Sequence, residues 1–118
     1  MLNRLENSAD IPAVPIVCVE EQCKGWLAKI HQTRTVHLQI PAYERLTELF
    51  QFFAEWEIVC LDTAAADIFD QLRQKKIRIG AQDLKIAAIA LTHDALLLSA
   101  NLRDFRHVPG LRVESWLE

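Results

Sequence analysis

The sequence predicts an α/β fold, a parallel central sheet flanked by helices, formed by one domain over residues 1–118. Three observations predict it. Stretches with apolar residues at helical spacing alternate with short runs that are apolar almost throughout, such as "EIVCL" (57–61) and "ALLLS" (95–99). Strands buried on both faces read that way, and the helices between them supply the crossovers that a parallel sheet requires. Finally, 118 residues with 51% apolar and 25% charged side chains suffice for one ordinary globular core and are too few for two.

The elements follow in order. "IPAVPIVCVE" (11–20) reads as a short strand ending near Val19, with Pro15 confined to its start. A helix follows from Glu20, where Val19, Cys23, Trp26, Leu27 and Ile30 form one apolar stripe. Pro41 opens a second helix, with Leu46, Leu49, Phe50, Phe53 and Trp56 on one face as core or dimer-interface residues. After the run at 57–61, Asp62 or Thr63 caps a helix whose stripe is Ala65, Ile68, Phe69 and Leu72. Asp83 starts the next helix; Leu84, Ala87, Ala88 and Leu91 are its buried face, widened by Ile86 and Ile89. Residues 95–99 form a central strand, and Leu111–Val113 a last short one.

A net charge of −3 argues against binding nucleic acid by bulk electrostatics, yet is compatible with a local basic edge around an acidic, metal-bridged site. Cys18, Cys23 and Cys60 lack close-paired spacing, and no two of His31, His37, His93 and His107 sit at helix-ligand spacing, which sets zinc aside. Small buried thiols in a reducing cytosol explain the cysteines better. No apolar run spans a bilayer, and Met1-Leu2-Asn3-Arg4 leads into polar residues without a secretory signal, so the expected location is cytoplasmic, away from any membrane.

In a parallel sheet, ligands bind beyond the carboxyl ends of the strands. Glu21 and Asp104 both follow predicted strands, and Asp83 opens a helix that feeds one, so all three can reach the same edge. Converging carboxylates repel, and a hard divalent cation such as Mg²⁺ or Mn²⁺ relieves that repulsion. A cation so held can generate hydroxide and stabilise charge on a phosphate in flight. Ser99 and Asn101 add neutral oxygens that can orient water or ligand. Each acid also has a structural account: Asp83 answers the helix dipole, Asp104 caps a turn, and Glu21 is a solvated helix residue.

The pattern itself weighs on the choice. "IGAQDLKIAAIALTHDALLLSANLRDF" followed by "RHVPGLRVESW" closely resembles the C-terminal half of PIN-domain ribonucleases, the toxins of bacterial VapBC toxin–antitoxin pairs. "VEEQCKGW" (19–26) is similar to the family's earlier motif, in which an acid stands four residues before a glycine; that acid is Glu21, with Gly25. The resemblance implies a PIN-like three-layer fold and a Mg²⁺- or Mn²⁺-dependent endoribonuclease. It also implies an RNA substrate, a cognate VapB-type antitoxin and a homodimer. By position, Glu21, Asp83 and Asp104 are three of the family's four acids and the metal ligands. Ser99 stands where threonine is usual, and Asn101 is the motif's asparagine.

One departure matters. The family opens on a central strand ending in an aspartate, typically within "LDTN" or "LDTD". This chain starts "MLNRLENSADIP", which resembles the end of the helical segment that normally follows. The first strand and first acid are therefore expected to be missing, and the ribonuclease weak or inactive in this shortened form. "CLDTAAADIF" (60–69) repeats the opening letters, but Asp62 leads into an amphipathic helix and reads as its N-cap. "RQKKIRIG" (73–80) gathers Arg73, Lys75, Lys76 and Arg78, which either complement a helix C-terminus or form a phosphate-gripping lip. Two other functions compete: a non-catalytic PIN-like binding module, and a metal-dependent phosphohydrolase acting on small esters.

Overall fold

A computed structural model describes residues 3–6 and 12–115. Ten elements follow one another: β1 (Arg4–Glu6), β2 (Ala13–Pro15), α1 (Ile16–Gln32), α2 (Val36–Phe53), β3 (Glu57–Val59), α3 (Thr63–Gln74), α4 (Ala81–Thr92), β4 (Leu96–Ser99), α5 (Leu102–Phe105) and β5 (Val113–Ser115). The five strands form one sheet in the order β3-β2-β1-β4-β5. The α/β class holds, with parallel pairs β2–β3 and β4–β5 on either side.

The centre of the sheet differs from expectation. Arg4–Glu6 form a strand where the sequence suggested the end of a helix, and that strand runs antiparallel to both neighbours. The sheet is therefore mixed, with four strands pointing one way and β1 the other. The physical reason is pairing: the facing edges of β2 and β4 carry backbone donors and acceptors that burial obliges something to satisfy. The tripeptide does so with a strand's alternation, Leu5 pointing into the core between half-buried Arg4 and exposed Glu6. Ile11 and Trp116, which the sequence reading placed in the first strand and the last motif, lie outside the described residues.

The first helix begins at Ile16, four residues before the expected start. Pro15 explains this, since it has no N–H to continue the ladder and its φ of −63° already suits a helix entrance. Glu20 and Glu21 thus lie in the second turn of α1. Helix α2 likewise begins before Pro41 and runs through it. Its first turn is anchored by Gln39, whose side-chain amide donates to the carbonyls of Ile30 at 3.0 Å and Thr33 at 2.7 Å, satisfying the end of α1. The expected stripe of α2 is only partly buried: Phe53 is in the core, whereas Phe50 is exposed. Leu27 of α1 is exposed too.

The second half of the chain follows its pattern closely. Asp62 caps α3, its Oδ1 accepting from the Ala65 N–H at 2.9 Å. Helix α4 is buried along Leu84, Ile86, Ala87, Ala88, Ile89 and Ala90 and packs against both α3 and α1. The last strand lies two residues later than expected, preceded by a turn at Gly110 whose φ of 79° favours a residue without a Cβ. No described helix is long and apolar enough to cross a membrane.

Candidate active site

Because β2, β3, β4 and β5 point the same way, their carboxyl ends share one edge, and the segments leaving β2 and β4 start there. Helix α1 brings Glu21 from β2. Helix α4 runs back antiparallel to β4, so its first turn, with Asp83, returns to the same edge. Asn101 and the short α5, with Asp104 in its first turn, follow β4 directly.

Asn101 holds the group together. Its Nδ2 donates to Asp104 Oδ2 at 3.1 Å and, less closely, to Asp83 Oδ2 at 3.4 Å. Its own backbone N–H donates to Ser99 Oγ at 2.9 Å, and Ser99 is completely buried. Ser99 thus acts beneath the site, fixing the backbone from which Asn101 reaches up. Burial pushes the Asp83 carboxyl above its ordinary range, the Asp104 charge adds to this, and the Asn101 hydrogen bond opposes it. Glu21 is also raised, by partial burial first, then by the charges of Asp83 and Glu20.

Glu20 has a different setting. Its Oε1 accepts from Gln82 Nε2 at 3.0 Å, and this bond, with help from Lys24 and Lys85, lowers its pKa. Glu20 therefore tethers α1 to the residue beside Asp83, while Glu21 is the acid whose charge meets Asp83. Asp62 is occupied as a helix cap.

Two neighbours escaped the sequence reading. Cys18 lies buried below Glu21 and Asp83, and burial together with those two charges pushes its thiol up to about 12, against a hydrogen bond from Asn3. Since Arg4 pairs with Leu98 in antiparallel register, Asn3 comes opposite Ser99, at the acidic edge. The polar–apolar–polar alternation of Arg4-Leu5-Glu6 was the available signal, too short to outweigh the surrounding polar letters. Among the described residues, no three His, Cys, Asp or Glu side chains stand close enough to enclose an ion. The donor set suits a hard cation nonetheless: the carboxylates of Asp83 and Asp104, drawn together by one amide, are what a water-rich Mg²⁺ or Mn²⁺ site needs from a protein.

A profile of the PIN domain matches residues 3–111, nearly the whole chain. The chain belongs to the PIN domain family. It is 44% identical over 48 residues to ribonuclease VapC1 of Rickettsia felis, a match covering 41% of this chain and 36% of that protein. With the tRNA(fMet)-specific endonuclease VapC of Salmonella typhimurium it shares 33% identity over 69 residues, 55% of this chain and 52% of the relative. The aligned region thus spans between a third and about half of these relatives' length. Among solved structures, DNA-bound VapBC from Salmonella typhimurium superposes with a TM-score of 0.71 at 27% identity, covering 88% of this chain and 74% of that one. VapBC2 from Rickettsia felis, bound to a promoter DNA fragment, gives 0.66 at 24% identity over the same shares, a likeness of fold. The PIN fold expected from the C-terminal motifs is therefore the fold of this chain.

Proposed function

We propose that this PIN domain is an endoribonuclease toxin of the VapBC type, acting in the cytoplasm and neutralised by a VapB-type antitoxin. The observation that carries the reading is the Asn101 amide, which gathers Asp83 and Asp104 at the carboxyl edge of the sheet. The VapC names of the relatives support ribonuclease activity, and the VapBC structures support the antitoxin. A homodimer is supported by the apolar side chains that α2 leaves exposed, among them Val36, Leu38, Ile40, Tyr43, Phe50 and Phe52.

Asp83 and Asp104 would hold the Mg²⁺ or Mn²⁺, with Glu21 reaching it through water. When bound there, such a cation would supply an activated water and offset charge developing on the phosphodiester. Asn101 orients both aspartates, Ser99 fixes Asn101 from below, and Glu21, the most exposed of the three acids, would be placed to accept a hydrogen bond from a water activated there. Buried Cys18, held as the neutral thiol, adds no charge and excludes water beneath the site.

The test is cleavage of a mixed tRNA and rRNA pool by the full chain with Mn²⁺ and with chelator. Cleavage that needs the metal and disappears in Glu21→Gln, Asp83→Asn and Asp104→Asn supports the assignment; cleavage indifferent to chelator or to these changes overturns it. The non-catalytic binding module is favoured by one observation, that among the described residues no three His, Cys, Asp or Glu side chains stand close enough to enclose an ion. On that reading the folded protein binds its antitoxin and never cuts RNA. Turnover of a small phosphate ester, with RNA untouched, would instead identify a phosphohydrolase.

A further inference from the structure

Arg73, Lys75, Lys76 and Arg78 all lie at the corner where α3 ends and α4 begins, and all four are exposed. Among the described residues none of them is within ion-pair distance of a carboxylate, although Asp67 and Asp70 lie on the preceding turns of the same helix. Elsewhere three cations do pair, Lys24 with Glu20, Arg45 with Glu48 and Arg112 with Asp94, and the cations outside the corner are scattered along the chain, whereas these four fall within six residues. The dipole of α3 accounts for Arg73 and Lys75 at its end, but its influence fades within a turn and leaves Arg78 unexplained. At Lys76, φ is 57°, so the chain reverses there and carries Arg78 toward the first turn of α4.

The same corner encloses a cavity of about 270 Å³ lined by Phe69, Arg73, Ile77, Ile79, Ala81 and Leu84. Its lining side chains are apolar except for Arg73, whose guanidinium lies 5.7 Å from the centroid of the Phe69 ring, while polar atoms form the larger share of the exposed wall. Ala81 and Leu84 flank Asp83 in sequence, so the cavity adjoins the turn that carries this acid. Free cations beside an aromatic, arginine-rimmed pocket are the two components of single-strand recognition: charge follows the backbone, and a flat apolar seat receives an unstacked base.

We propose that the α3–α4 corner seats a single-stranded RNA, with Lys75, Lys76 and Arg78 holding its phosphates and the Phe69–Arg73 cavity taking one base beside Asp83. The inference rests on the ribonuclease reading of the acids and adds to it a substrate track and a site at which base identity can be sensed. An overall charge of −3 makes such a track local: RNA is admitted at this corner and repelled elsewhere.

The experiment is fluorescence anisotropy of a labelled single-stranded RNA 12-mer against the full chain carrying Asp104→Asn, in EDTA, at several salt concentrations. Each phosphate contact contributes about 0.7 to the slope of log affinity against log salt for single strands. Lys75→Gln/Lys76→Gln/Arg78→Gln should therefore flatten the slope by about 2, while Arg45→Gln on α2 leaves it unchanged. Arg73→Gln should weaken binding of the RNA about tenfold and leave binding of an abasic 12-mer unaltered. An unchanged slope in the triple variant overturns the proposal, as does a folded parent that binds no RNA. A poly-glutamate 12-mer that binds as tightly, with the same loss in the triple variant, overturns the assignment to RNA. The outcomes separate from those of the catalytic reading. If the charge variants lose binding while the unaltered chain never cuts RNA, the seat stands and the chemistry falls. If RNA is cut and the triple variant keeps its slope, the chemistry stands and the seat falls.

Discussion

Removing one aspartate from the site should stabilise the fold when no metal is present. Asp83 Oδ2 and Asp104 Oδ2 share the Asn101 Nδ2 at 3.4 and 3.1 Å, so they lie at most about 6.5 Å apart, the two reaches end to end. At that distance two unit charges repel by roughly 0.6 kcal/mol in water and about 2.6 kcal/mol at an effective dielectric constant near 20. Both side chains are half-buried, so solvent screening brings the expected repulsion to about 1–2 kcal/mol. Asp83→Asn keeps an oxygen for Asn101 and deletes the charge. In EDTA at neutral pH, urea unfolding should show Asp83→Asn and Asp104→Asn each more stable than the parent by about 1 kcal/mol. The double variant should gain less than the two together, because the repulsion is removed only once. The pH dependence has a definite sign. A carboxyl whose folded pKa is raised destabilises the fold when ionised, so the advantage of Asp83→Asn should shrink as pH falls through the raised range. Mn²⁺ should reverse the ranking, stabilising the parent by about 2.7 kcal/mol at a hundred times its Kd and the variants much less. Additive single effects, or an Asp83→Asn protein no more stable than its parent in EDTA, would refute the reasoning.

Three further outcomes are expected. Asp62→Ala should cost about 0.5–2 kcal/mol through the lost α3 cap and leave Mn²⁺ affinity unchanged, read by urea unfolding and paramagnetic broadening; loss of metal binding with little loss of stability would make Asp62 a ligand. Ser99→Ala strands the Asn101 N–H in a buried setting and should cost about 1–3 kcal/mol, with a matching loss of the tighter geometry that favours Mn²⁺; a neutral effect would show that the hydroxyl does not fix Asn101. Asn3→Asp places a carboxylate at the acidic edge opposite Ser99, and calorimetric titration should find Mn²⁺ bound about tenfold more tightly, since hard cations gain affinity with ligand charge; unchanged affinity would put Asn3 out of reach of the ion.

The second half of the chain was legible because local preference and tertiary demand agree there. The alanine-rich α4 and the run "LLLS" each have one plausible conformation, and Asp83, Ser99, Asn101 and Asp104 are spaced by those elements. The acids at the carboxyl edge could be located once the sheet direction was known. The first half was harder to read. Ile16-Val17-Cys18-Val19 has the composition of a strand, and only the packing of α1 makes it helical. Pro41 marks a helix start by local rules, yet Gln39, bonding to the end of α1, extends α2 beyond it. Leu5 offered a single apolar letter, and its burial depends on strands far along the sequence. Asn3 and Cys18 join the site through that long-range pairing, which no local pattern encodes.

The reversed central strand has a consequence for how the protein opens. β1 alone joins the β2–β3 half of the sheet to the β4–β5 half, so the seam between β1 and β2, where Leu5 pairs with Ala13, is a line along which the two halves can part. Glu21 travels with β2 through α1, whereas Ser99, Asn101 and Asp104 travel with β4. Parting the seam therefore disperses the acids, and their repulsion pushes the same way. Backbone amides at Leu5 and Ala13 should exchange with solvent ahead of those in β4, through a sub-global opening that leaves the β4–β5 half intact. A cation shared by Glu21 and the aspartates would close this breathing mode, so the exchange clock at Leu5 would report metal occupancy some distance from the ion itself.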